Sequence, residues 1–533
     1  MLNKSVPWFV LDFLFLIGGG ATIVITRWLL KSRYLFHWDS VQFVLALKEF
    51  DVSQHQPHPP GYIIYVYLGK LFNFFVEDPN LAFIALGVVA SIAGLIILFY
   101  LAKMAFTRTA AYIAALLFIF NPLVWFHGLV AEVYIVEMFF VLFFVFLAYR
   151  YYQKQSLLDL IGTVLTLGIL GGIRQSAEVV MLPLFILVLV KGGASIKKWI
   201  ASLAGLAIIN LTWFIPVLVM SGGWQSYFEA LGALTQATVV YEYVHGQWNA
   251  LTNNFSMMIT IFKQAFLLGL FILIMAAFPL IAEESRGKYK INWSHTWFWL
   301  VATIPSILIM PVILMRNSGY VLSAMSLIII IAAVAAIFLA QVMSRWKSAF
   351  FKPVITILTG LALVTQIGNF FTLKFSDFYY LSASIDSIRT VDEFAGDIIQ
   401  TVRKKFNSDE SAIWIPGDYV FFGVRHFQYY LPEYKIYSYA PQSFVGTSPE
   451  LPIWYIHGVE ANKFVKTISP DAHIRYLIAA RNTLQADDYQ ILVETEGGHN
   501  MSYYDLSDEN TVAFLNKDTR FDIQSVFEGG SNE

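Results

Sequence analysis

The segment that follows the first long apolar stretch carries the side chains best suited to chemistry. It begins with Asp39 and ends with two histidines and a Pro-Pro-Gly turn (His55, His58 and Pro59-Pro60-Gly61-Tyr62). Polar groups at a membrane are costly and therefore tend to be functional. A carboxylate there could act as a general base that takes the proton of an acceptor hydroxyl in a transfer reaction. The alternative is that Asp39 caps a helix, because Asp is a favoured N-cap and the amphipathic run 41–50 follows it.

A second carboxylate, Glu132, stands at the start of another apolar stretch, in the run Leu129-Val130-Ala131-Glu132-Val133-Tyr134. Glu137 follows in the same predicted helix, but a spacing of five residues does not place two side chains on one face. We expect Glu137 to point into the helix bundle, where a carboxylate at membrane depth needs a partner. For Glu132, a catalytic part and a purely structural ion pair or hydrogen bond both stay open.

Two arginines, Arg174 and Arg316, lie at predicted tight turns on the same side of the membrane as Asp39. Arg174 follows Gly171-Gly172-Ile173, and Arg316 precedes Asn317-Ser318-Gly319-Tyr320. A phosphate leaving group needs such cations, and a guanidinium group can bind it through two parallel hydrogen bonds. The alternative is that both side chains simply extend to lipid headgroups.

Other polar residues on this side are candidates for substrate binding. Three of the histidines with Asp39 could bind a divalent metal, but no tight ligand spacing such as His-Glu-x-x-His is present, so no metal ligand is assigned. The polar and aromatic segment 221–257 suits a carbohydrate or a lipid headgroup, although membrane-interface belts have the same composition. The candidate substrate-binding residues are His55, His58, Tyr62, Gln175 and His245.

The composition indicates a membrane protein that crosses the bilayer many times. Of the 533 residues, 57% are hydrophobic and only 14% are charged, whereas soluble domains contain about 25% charged residues. The chain has no cysteine, which excludes disulfides and thiolate chemistry, and no basic patch suggests nucleic acid. Most apolar runs reach the roughly 20 residues that a bilayer requires. The predicted spans are 7–30, 81–102, 109–125, 130–149, 157–173, 175–191, 198–220, 258–282, 295–315, 319–342 and 353–373.

Lysine and arginine set the predicted orientation. Every loop on the side of the N-terminus is basic, whereas the opposite loops 121–131 and 221–257 contain no lysine or arginine. Basic loops stay in the cytoplasm, so we predict eleven crossings of the plasma membrane, with the Asp39 segment and the tail outside. The run 59–77 is short and contains Lys70, and we interpret it as an interfacial or re-entrant helix. An outer domain without disulfides favours a prokaryotic origin.

The character of the chain changes at about residue 374, where the long apolar runs stop and charged residues become frequent. Helical spacing of apolar residues predicts a helix over 378–406. Five short apolar runs predict strands at 412–415, 435–439, 453–456, 475–479 and 490–493. We therefore predict a transmembrane catalytic domain over 1–373, with outer loops 31–80 and 221–257, and an extracytoplasmic α/β domain over 374–533.

These motifs together resemble the GT-C superfamily of integral-membrane glycosyltransferases, in particular the protein O-mannosyltransferase and aminoarabinose-transferase-like branch. The resemblance covers roughly residues 1–345. It implies an α-helical polytopic membrane protein of GT-C type. The motifs that carry it are Asp39 with His58-Pro59-Pro60-Gly61-Tyr62, Asn121-Pro122 with Ala131-Glu132-Val133-Tyr134, the Gly-Gly-x-Arg turn at 171–174, and Gly319-Tyr320.

Members of this superfamily take a sugar from a polyprenyl-phosphate donor on the outer face and pass it to an acceptor hydroxyl, usually with inversion. The resemblance implies that Asp39 is the base, that Glu132 assists, and that Arg174 and Arg316 hold the donor phosphate. The acceptor could be a glycan, a lipid or a protein, and no cofactor is implied beyond at most a divalent metal. The chain departs from the family at Ser40, where many members carry a second acidic residue.

The main alternative is a transporter or flippase for a lipid-linked saccharide. Transporter folds often consist of paired halves with broken helices, but the chain has no second Pro-Pro-Gly element. A membrane scaffold that displays the 374–533 domain is a further alternative. Polar motifs at several outer turns are more than a membrane anchor needs, so we favour the transferase.

Overall fold

The computed structural model describes residues 7–236, 244–246, 248–285, 292–313, 317–344, 348–375, 383–415, 422–439, 453–458, 461–479 and 489–524. Within these ranges the chain is mainly helical, and we number its elements in chain order. The helices are α1 (Trp8–Leu30), α2 (Trp38–Lys48), α3 (Ile63–Val76), α4 (Pro79–Ala105), α5 (Arg108–Ile119), α6 (Pro122–His127), α7 (Tyr134–Lys154), α8 (Leu157–Ile173), α9 (Gln175–Lys191), α10 (Ile196–Met220), α11 (Trp224–Gln236), α12 (Asn249–Ser285), α13 (Trp293–Ile313), α14 (Leu322–Met343), α15 (Phe351–Thr372), α16 (Ile385–Lys405), α17 (Val424–Tyr430) and α18 (Glu509–Leu515).

Helices occupy every predicted span. In the described part of the chain, seven segments are both long and apolar enough to cross a membrane: Trp8–Leu30, Pro79–Ala105, Tyr134–Lys154, Ile196–Met220, Asn249–Ile281, Ser318–Met343 and Phe351–Thr372. The helices Arg108–Ile119 and Leu157–Ile173 are apolar but shorter. The count of eleven crossings therefore stays a prediction. The run 59–77 forms the short apolar helix α3, as predicted.

The predicted continuous span 109–125 is wrong in one respect, because α5 ends and α6 begins at Asn121-Pro122. Asn121 caps α6, and its side-chain oxygen accepts hydrogen bonds from the amides of Leu123 at 3.1 Å and Val124 at 3.4 Å. Proline occupies the first position of α6, where its missing N–H costs nothing. An asparagine-proline pair inside an apolar run therefore starts a new helix instead of extending the old one.

The helix predicted over 258–282 is longer in the structure and is broken at Phe266, whose φ of −153° is not helical. Two carbonyl groups beside the break accept hydrogen bonds from side-chain amides of other helices. Asn121 donates to the carbonyl of Ala265 at 3.2 Å, and Asn369 donates to that of Gln264 at 2.6 Å. A side chain that inserts into the helical hydrogen-bond pattern is an established cause of a kink.

The chain forms two compact units. The first consists of residues 1–31, 62–216 and 242–387, and the second of residues 32–61, 217–241 and 388–533. The second unit thus gathers segments 32–61 and 217–241 with the C-terminal tail. The domain boundary at residue 374 stays a prediction.

The tail contributes a mixed sheet to the second unit. Its strands are β1 (Ser411–Ile415), β2 (Lys435–Tyr439), β3 (Ile453–His457), β4 (Ala461–Val465), β5 (Tyr476–Ala479), β6 (Ile491–Glu494) and β7 (Asn500–Asp505). In the described residues the strand order is β4-β3-β2-β1-β5-β7-β6, with β2, β1 and β5 parallel and the flanking strands antiparallel. All five predicted strands are present, whereas β4 and β7 were not predicted because both are rich in polar residues.

Hydrophobic clusters cover both faces of this sheet. One face packs against α16 and α17, and the buried residues of α16 include Ile388, Val391, Ile398 and Val402, as the helical spacing predicts. The other face packs against α18, through Val512 and Leu515. The predicted α/β domain is therefore a sheet with a hydrophobic core on each side.

Asp397 of α16 connects that helix to the turn between β6 and β7. Its carboxylate accepts hydrogen bonds from the Gly497 amide at 2.9 Å, from His499 Nδ1 at 2.7 Å and from the Thr495 hydroxyl. Burial alone would raise the pKa of Asp397, but the hydrogen bonds from Thr495, His499 and Gly497 outweigh it and hold this pKa below its usual range. The ionised carboxylate therefore contributes to stability.

We predict that Asp397→Asn lowers the free energy of unfolding of the second unit by about 1.5–3 kcal/mol at neutral pH, the usual contribution of a hydrogen bond to a charged group. Because the folded pKa is lowered, the contribution is present above about pH 4 and is lost as the pH falls through the folded value. This contribution is measured by thermal unfolding of the full chain in detergent and by hydrogen exchange of residues 491–505, both at neutral and at acidic pH. A difference between the two proteins that does not shrink at low pH would contradict the assignment.

Candidate functional site

Asp39 lies in the first turn of α2, but it does not cap that helix. The N-cap is His37, whose Nδ1 accepts a hydrogen bond from the Asp39 amide at 3.1 Å. The helix-cap alternative for the Asp39 side chain is therefore wrong. The carboxylate is about a quarter exposed, at 26%, and its oxygens lie 3.6 Å from Nδ1 of His37 and 3.5 Å from Nδ1 of His58.

Gln42, one turn further along α2, controls the orientation of His58. The side-chain oxygen of Gln42 accepts hydrogen bonds from both the His58 amide at 3.2 Å and His58 Nδ1 at 2.7 Å. Because a backbone N–H can only donate, the amide oxygen, not the nitrogen, must face His58, and Nδ1 must then carry a proton. His37 Nδ1 is itself an acceptor. Among the described residues, no side chain therefore donates a short hydrogen bond to the carboxylate of Asp39.

The rest of this loop is compact. Asp51 and Gln56 form an antiparallel bridge, and the peptide bonds before Pro57 and Pro60 are cis. His55 is 2% exposed and Tyr62 is partly exposed, and both have left-handed backbone conformations. Gly61 has a φ of +117°, and a Cβ at this position would lie 3.1 Å from Val52 and 3.2 Å from Val217. The Pro-Pro-Gly motif therefore needs its glycine for both conformation and space.

Glu132, in the first unit, is 2% exposed and belongs to a buried hydrogen-bond network. One carboxylate oxygen lies 2.9 Å from Nδ1 of His127, and the other accepts a hydrogen bond from Asn317 at 3.0 Å. Nε2 of His127 lies 3.2 Å from the hydroxyl of Ser318. The network joins the start of α7 to the turn Ser318–Val321. Glu132 therefore has hydrogen-bond partners, and its catalytic part stays a prediction.

Glu137 forms an ion pair with Arg174, which is the kind of partner that we expect for a carboxylate inside the helix bundle. Nη1 of Arg174 donates to Glu137 at 2.7 Å, and the hydroxyl of Ser323 donates to the other Glu137 oxygen at 3.0 Å. The guanidinium carbon lies 4.9 Å from the ring centre of Tyr134 and 4.2 Å from that of Tyr320. Arg174 is therefore held by a carboxylate and lies against two neighbouring aromatic rings, whose centres are 5.5 Å apart.

The turn Ser318–Val321 brings Tyr320 to this arginine. Gly319 makes the close approach possible, because a Cβ there would lie only 2.2 Å from the ring of Tyr134. Glu132 and Glu137 thus have related roles. Glu132 holds the turn that carries Tyr320, and Glu137 holds Arg174, against which Tyr320 packs.

A pocket opens beside Arg174. Its polar end consists of Glu137, Arg174, Tyr320 and Ser323, with Ser176 and Ser306 nearby. The remaining lining residues are apolar and come from α7, α9 and α13: Val141, Ala177, Val180, Met181 and Ile309. The lining therefore combines charged and polar side chains with apolar ones.

The other predicted site residues are dispersed. Gln175 follows Arg174 at the start of α9 and is partly exposed, whereas His245 is exposed. Arg316 lies outside the described residues. Gln42, Asn317 and Ser318 were assigned no role from the sequence, and Tyr320 entered only as part of the Gly319-Tyr320 motif. Gln42 could have been found from its position one turn after Asp39 on the same helix. No cluster of three metal-ligating side chains occurs in the described ranges.

We predict that Glu137→Gln lowers the thermal unfolding midpoint of the protein in detergent more than the double variant Glu137→Gln with Arg174→Gln does. The single change leaves the Arg174 charge buried without its carboxylate, which costs on the order of 3–5 kcal/mol, whereas removal of both charges costs less. If the losses of the two single variants simply added in the double variant, the two charges would not interact.

Comparison with known proteins agrees with this architecture. Residues 39–199, which contain Asp39, Glu132 and Arg174, match the family model described as protein O-mannosyl-transferase TMEM260, N-terminal domain. No curated protein matches the chain.

Two crystal structures are similar in fold, and a third matches with a TM-score below 0.5. ArnT from Cupriavidus metallidurans bound to undecaprenyl phosphate has a TM-score of 0.55 at 10% identity, over 94% of this chain and 98% of that chain. The apo state of the same protein has a TM-score of 0.51 at 11% identity, over 93% and 98%. The oligosaccharyltransferase from Archaeoglobus fulgidus, tethered with an acceptor peptide, has a TM-score of 0.47 at 12% identity, over 88% and 68%.

The predicted architecture, a polytopic helical membrane protein with a C-terminal α/β domain, is therefore confirmed. So is the resemblance read from the sequence: the chain has the fold of the GT-C superfamily of integral-membrane glycosyltransferases, and part of it matches a protein O-mannosyltransferase family.

Proposed function

We propose that this chain is a membrane glycosyltransferase that moves a sugar, a hexose or a pentose, from a polyprenyl-phosphate donor to an acceptor hydroxyl on the outer face of the membrane. The acceptor oxygen attacks the anomeric carbon and inverts it. The bond between that carbon and the phosphate oxygen breaks, and its electron pair leaves with the lipid phosphate. The hydroxyl proton passes to Asp39, the general base.

The observation that carries the proposal is the open carboxylate of Asp39. Its two nearest histidines do not donate to it, because His37 Nδ1 accepts from the backbone and His58 Nδ1 donates to Gln42. A carboxylate that lies 3.5 and 3.6 Å from these nitrogens, on a side chain that is 26% exposed, can accept the proton of a hydroxyl. His58 and Tyr62, on the same loop, are proposed to contact the substrate, as is His55 through its backbone.

The pocket beside Arg174 supports a polyprenyl-phosphate donor. A guanidinium at one end suits a phosphate, and apolar walls suit an isoprenoid chain. Glu137 and the two tyrosine rings leave Arg174 a fixed orientation, so its remaining N–H groups stabilise charge on the leaving phosphate without reorganisation. ArnT from Cupriavidus metallidurans, which shares the fold, binds undecaprenyl phosphate.

Glu132 assists without reacting. Both of its oxygens accept or share hydrogen bonds with His127 and Asn317, which hold the turn that carries Tyr320. Gln175 is proposed as a neighbour of the phosphate because it follows Arg174, and Arg316 and His245 are proposed from their positions in the sequence alone. The acceptor could be a glycan, a lipid or a protein.

We predict that Asp39→Asn abolishes sugar transfer and leaves expression intact. A general base typically contributes about 10²–10⁴-fold to the rate, and the amide of Asn cannot take the proton. The measurement is transfer of labelled sugar by the full-length protein in vesicles loaded with a panel of polyprenyl-phosphate sugars. Asp51→Asn is the matched control, because Asp51 caps a 3₁₀ turn in the same loop and an Asn oxygen can accept the same hydrogen bond from Ser53.

Retained turnover by the Asp39 variant would contradict the assignment of the base. If the native chain moved no label with any donor while the labelled lipid changed leaflet, a flippase would replace the transferase as the function.

We predict that Arg174→Lys lowers kcat/KM for the lipid donor about 10- to 100-fold, the effect of one weakened hydrogen bond to a charged group. Lysine keeps the charge beside Glu137 but loses the planar, two-pronged geometry and the stacking on Tyr134 and Tyr320. The control is Arg150→Lys, which alters another arginine paired with a carboxylate, Asp159. Equal donor kinetics in the two variants would exclude Arg174 from the donor site.

A further inference from the structure

The loop that carries Asp39 and His58 is held by residues far away in the sequence. This loop, residues 32–61, belongs to the second unit together with segment 217–241 and the tail. Hydrogen bonds reach it from both of those parts, and nearly all of them end on its backbone. Backbone contacts fix where a loop lies without using its side chains.

Segment 217–241 holds the Pro-Pro-Gly turn. Tyr227 of α11 is 1% exposed, and its hydroxyl donates to the carbonyl of Pro60 at 3.1 Å. The hydroxyl of Ser221 accepts a hydrogen bond from the Val52 amide at 3.1 Å. The Tyr227 side chain is therefore a hydrogen-bond partner of the loop backbone. The composition of segment 221–257 had suggested substrate binding instead.

Helix α17 holds the middle of the loop through Arg425. Its side chain is fully buried and stacks on the ring of Trp454 at 4.4 Å. One guanidinium nitrogen donates to Gln428 at 2.6 Å, and another donates to the carbonyl of Gln54, a few residues before His58. Because Trp454 and Gln428 fix the orientation of the guanidinium group, Arg425 donates to the Gln54 carbonyl from one direction only.

Helices α16 and α17 also hold the start of the loop. Asp392 accepts hydrogen bonds from the Ser32 hydroxyl at 2.8 Å, the Arg33 amide at 2.9 Å and the Tyr34 amide at 3.1 Å. His426 donates from Nε2 to the carbonyl of Leu35 at 3.1 Å. Burial lowers the pKa of His426 to about 3, so this imidazole is neutral and its proton sits on the nitrogen that faces Leu35.

We propose that Tyr227 and Arg425 are positioning residues for the transfer reaction, which fix the loop so that His58, Gln42 and Asp39 keep the geometry described above. The C-terminal domain and the second outer loop are then parts of the catalytic framework. This inference rests on the proposed function for its kinetic consequence. Displacement of a reacting group by about 1 Å can cost on the order of 10²-fold in rate.

The test compares Tyr227→Phe with Tyr434→Phe. Both changes remove a buried hydroxyl that donates to a backbone carbonyl, and Tyr434 donates to Phe406 at 2.7 Å, away from the loop. Tyr434 is 2% exposed, which matches Tyr227. We expect both variants to lower the unfolding midpoint by similar amounts. Tyr227→Phe should also lower kcat about tenfold or more with little change in the donor KM, whereas Tyr434→Phe should leave kcat at the native value.

Hydrogen exchange of the loop amides provides a readout that does not depend on activity. In Tyr227→Phe and in Arg425→Gln, the amides of Gln56 and Gly61, which donate to Asp51 and His58, should exchange faster than in the native protein and in Tyr434→Phe. Arg425→Lys, which retains a donor for the Gln54 carbonyl, should partly restore slow exchange.

The two proposals fail in distinguishable ways. If the loop amides exchanged faster in Tyr227→Phe and Arg425→Gln but the native chain transferred no sugar, the proposed function would be overturned and the positioning contacts would stand. Normal exchange and native kcat in Tyr227→Phe, with transfer still lost in Asp39→Asn, would overturn the positioning role alone.

Discussion

The hydrogen bond between His58 Nδ1 and the side-chain oxygen of Gln42 determines what Asp39 can do. If that imidazole N–H pointed at the carboxylate instead, it would occupy one acceptor position of Asp39. The amide oxygen cannot turn away, because it also accepts the backbone N–H of His58. The Gln42 oxygen thus satisfies the histidine, and under the proposed function the Asp39 carboxylate stays available to the acceptor hydroxyl. The contacts of Tyr227 and Arg425 hold the backbone of the same loop.

The same principle applies to the first unit, where charge is costly. Glu137 and Arg174 form an ion pair, and the neighbouring rings of Tyr134 and Tyr320 pack against the guanidinium. Such an arrangement needs every member in place, since one unpaired charge in a buried site costs several kcal/mol. Glu132 extends the arrangement to the neighbouring turn through His127 and Asn317. The pocket beside Arg174 is lined by the ion pair and its polar neighbours and by apolar residues of the helices.

Much of this could be read from the sequence, because the bilayer imposes a simple requirement. Apolar runs of sufficient length must be helices, since their backbone groups have no other partners, and helices lie at every predicted span. The strands of the tail were visible where they are apolar, as in β1 and β3. The polar β7 was not, because it owes its place in the sheet to pairing with β5 and β6. The break at Asn121-Pro122 was readable in principle, since proline and asparagine start helices.

The sequence by itself therefore determined the features that depend only on neighbouring residues. These are the carboxylate at Asp39, the Pro-Pro-Gly turn, the arginine after Gly171-Gly172, and the need of Glu137 for a partner. Only the tertiary structure decided which partner each would have. Arg174 lies 37 residues from Glu137, Asn317 lies 185 residues from Glu132, and Arg425 lies 371 residues from Gln54. The hydrogen bonds between these pairs depend on direction and distance after folding, and the spacing of residues along the chain carries no information about either.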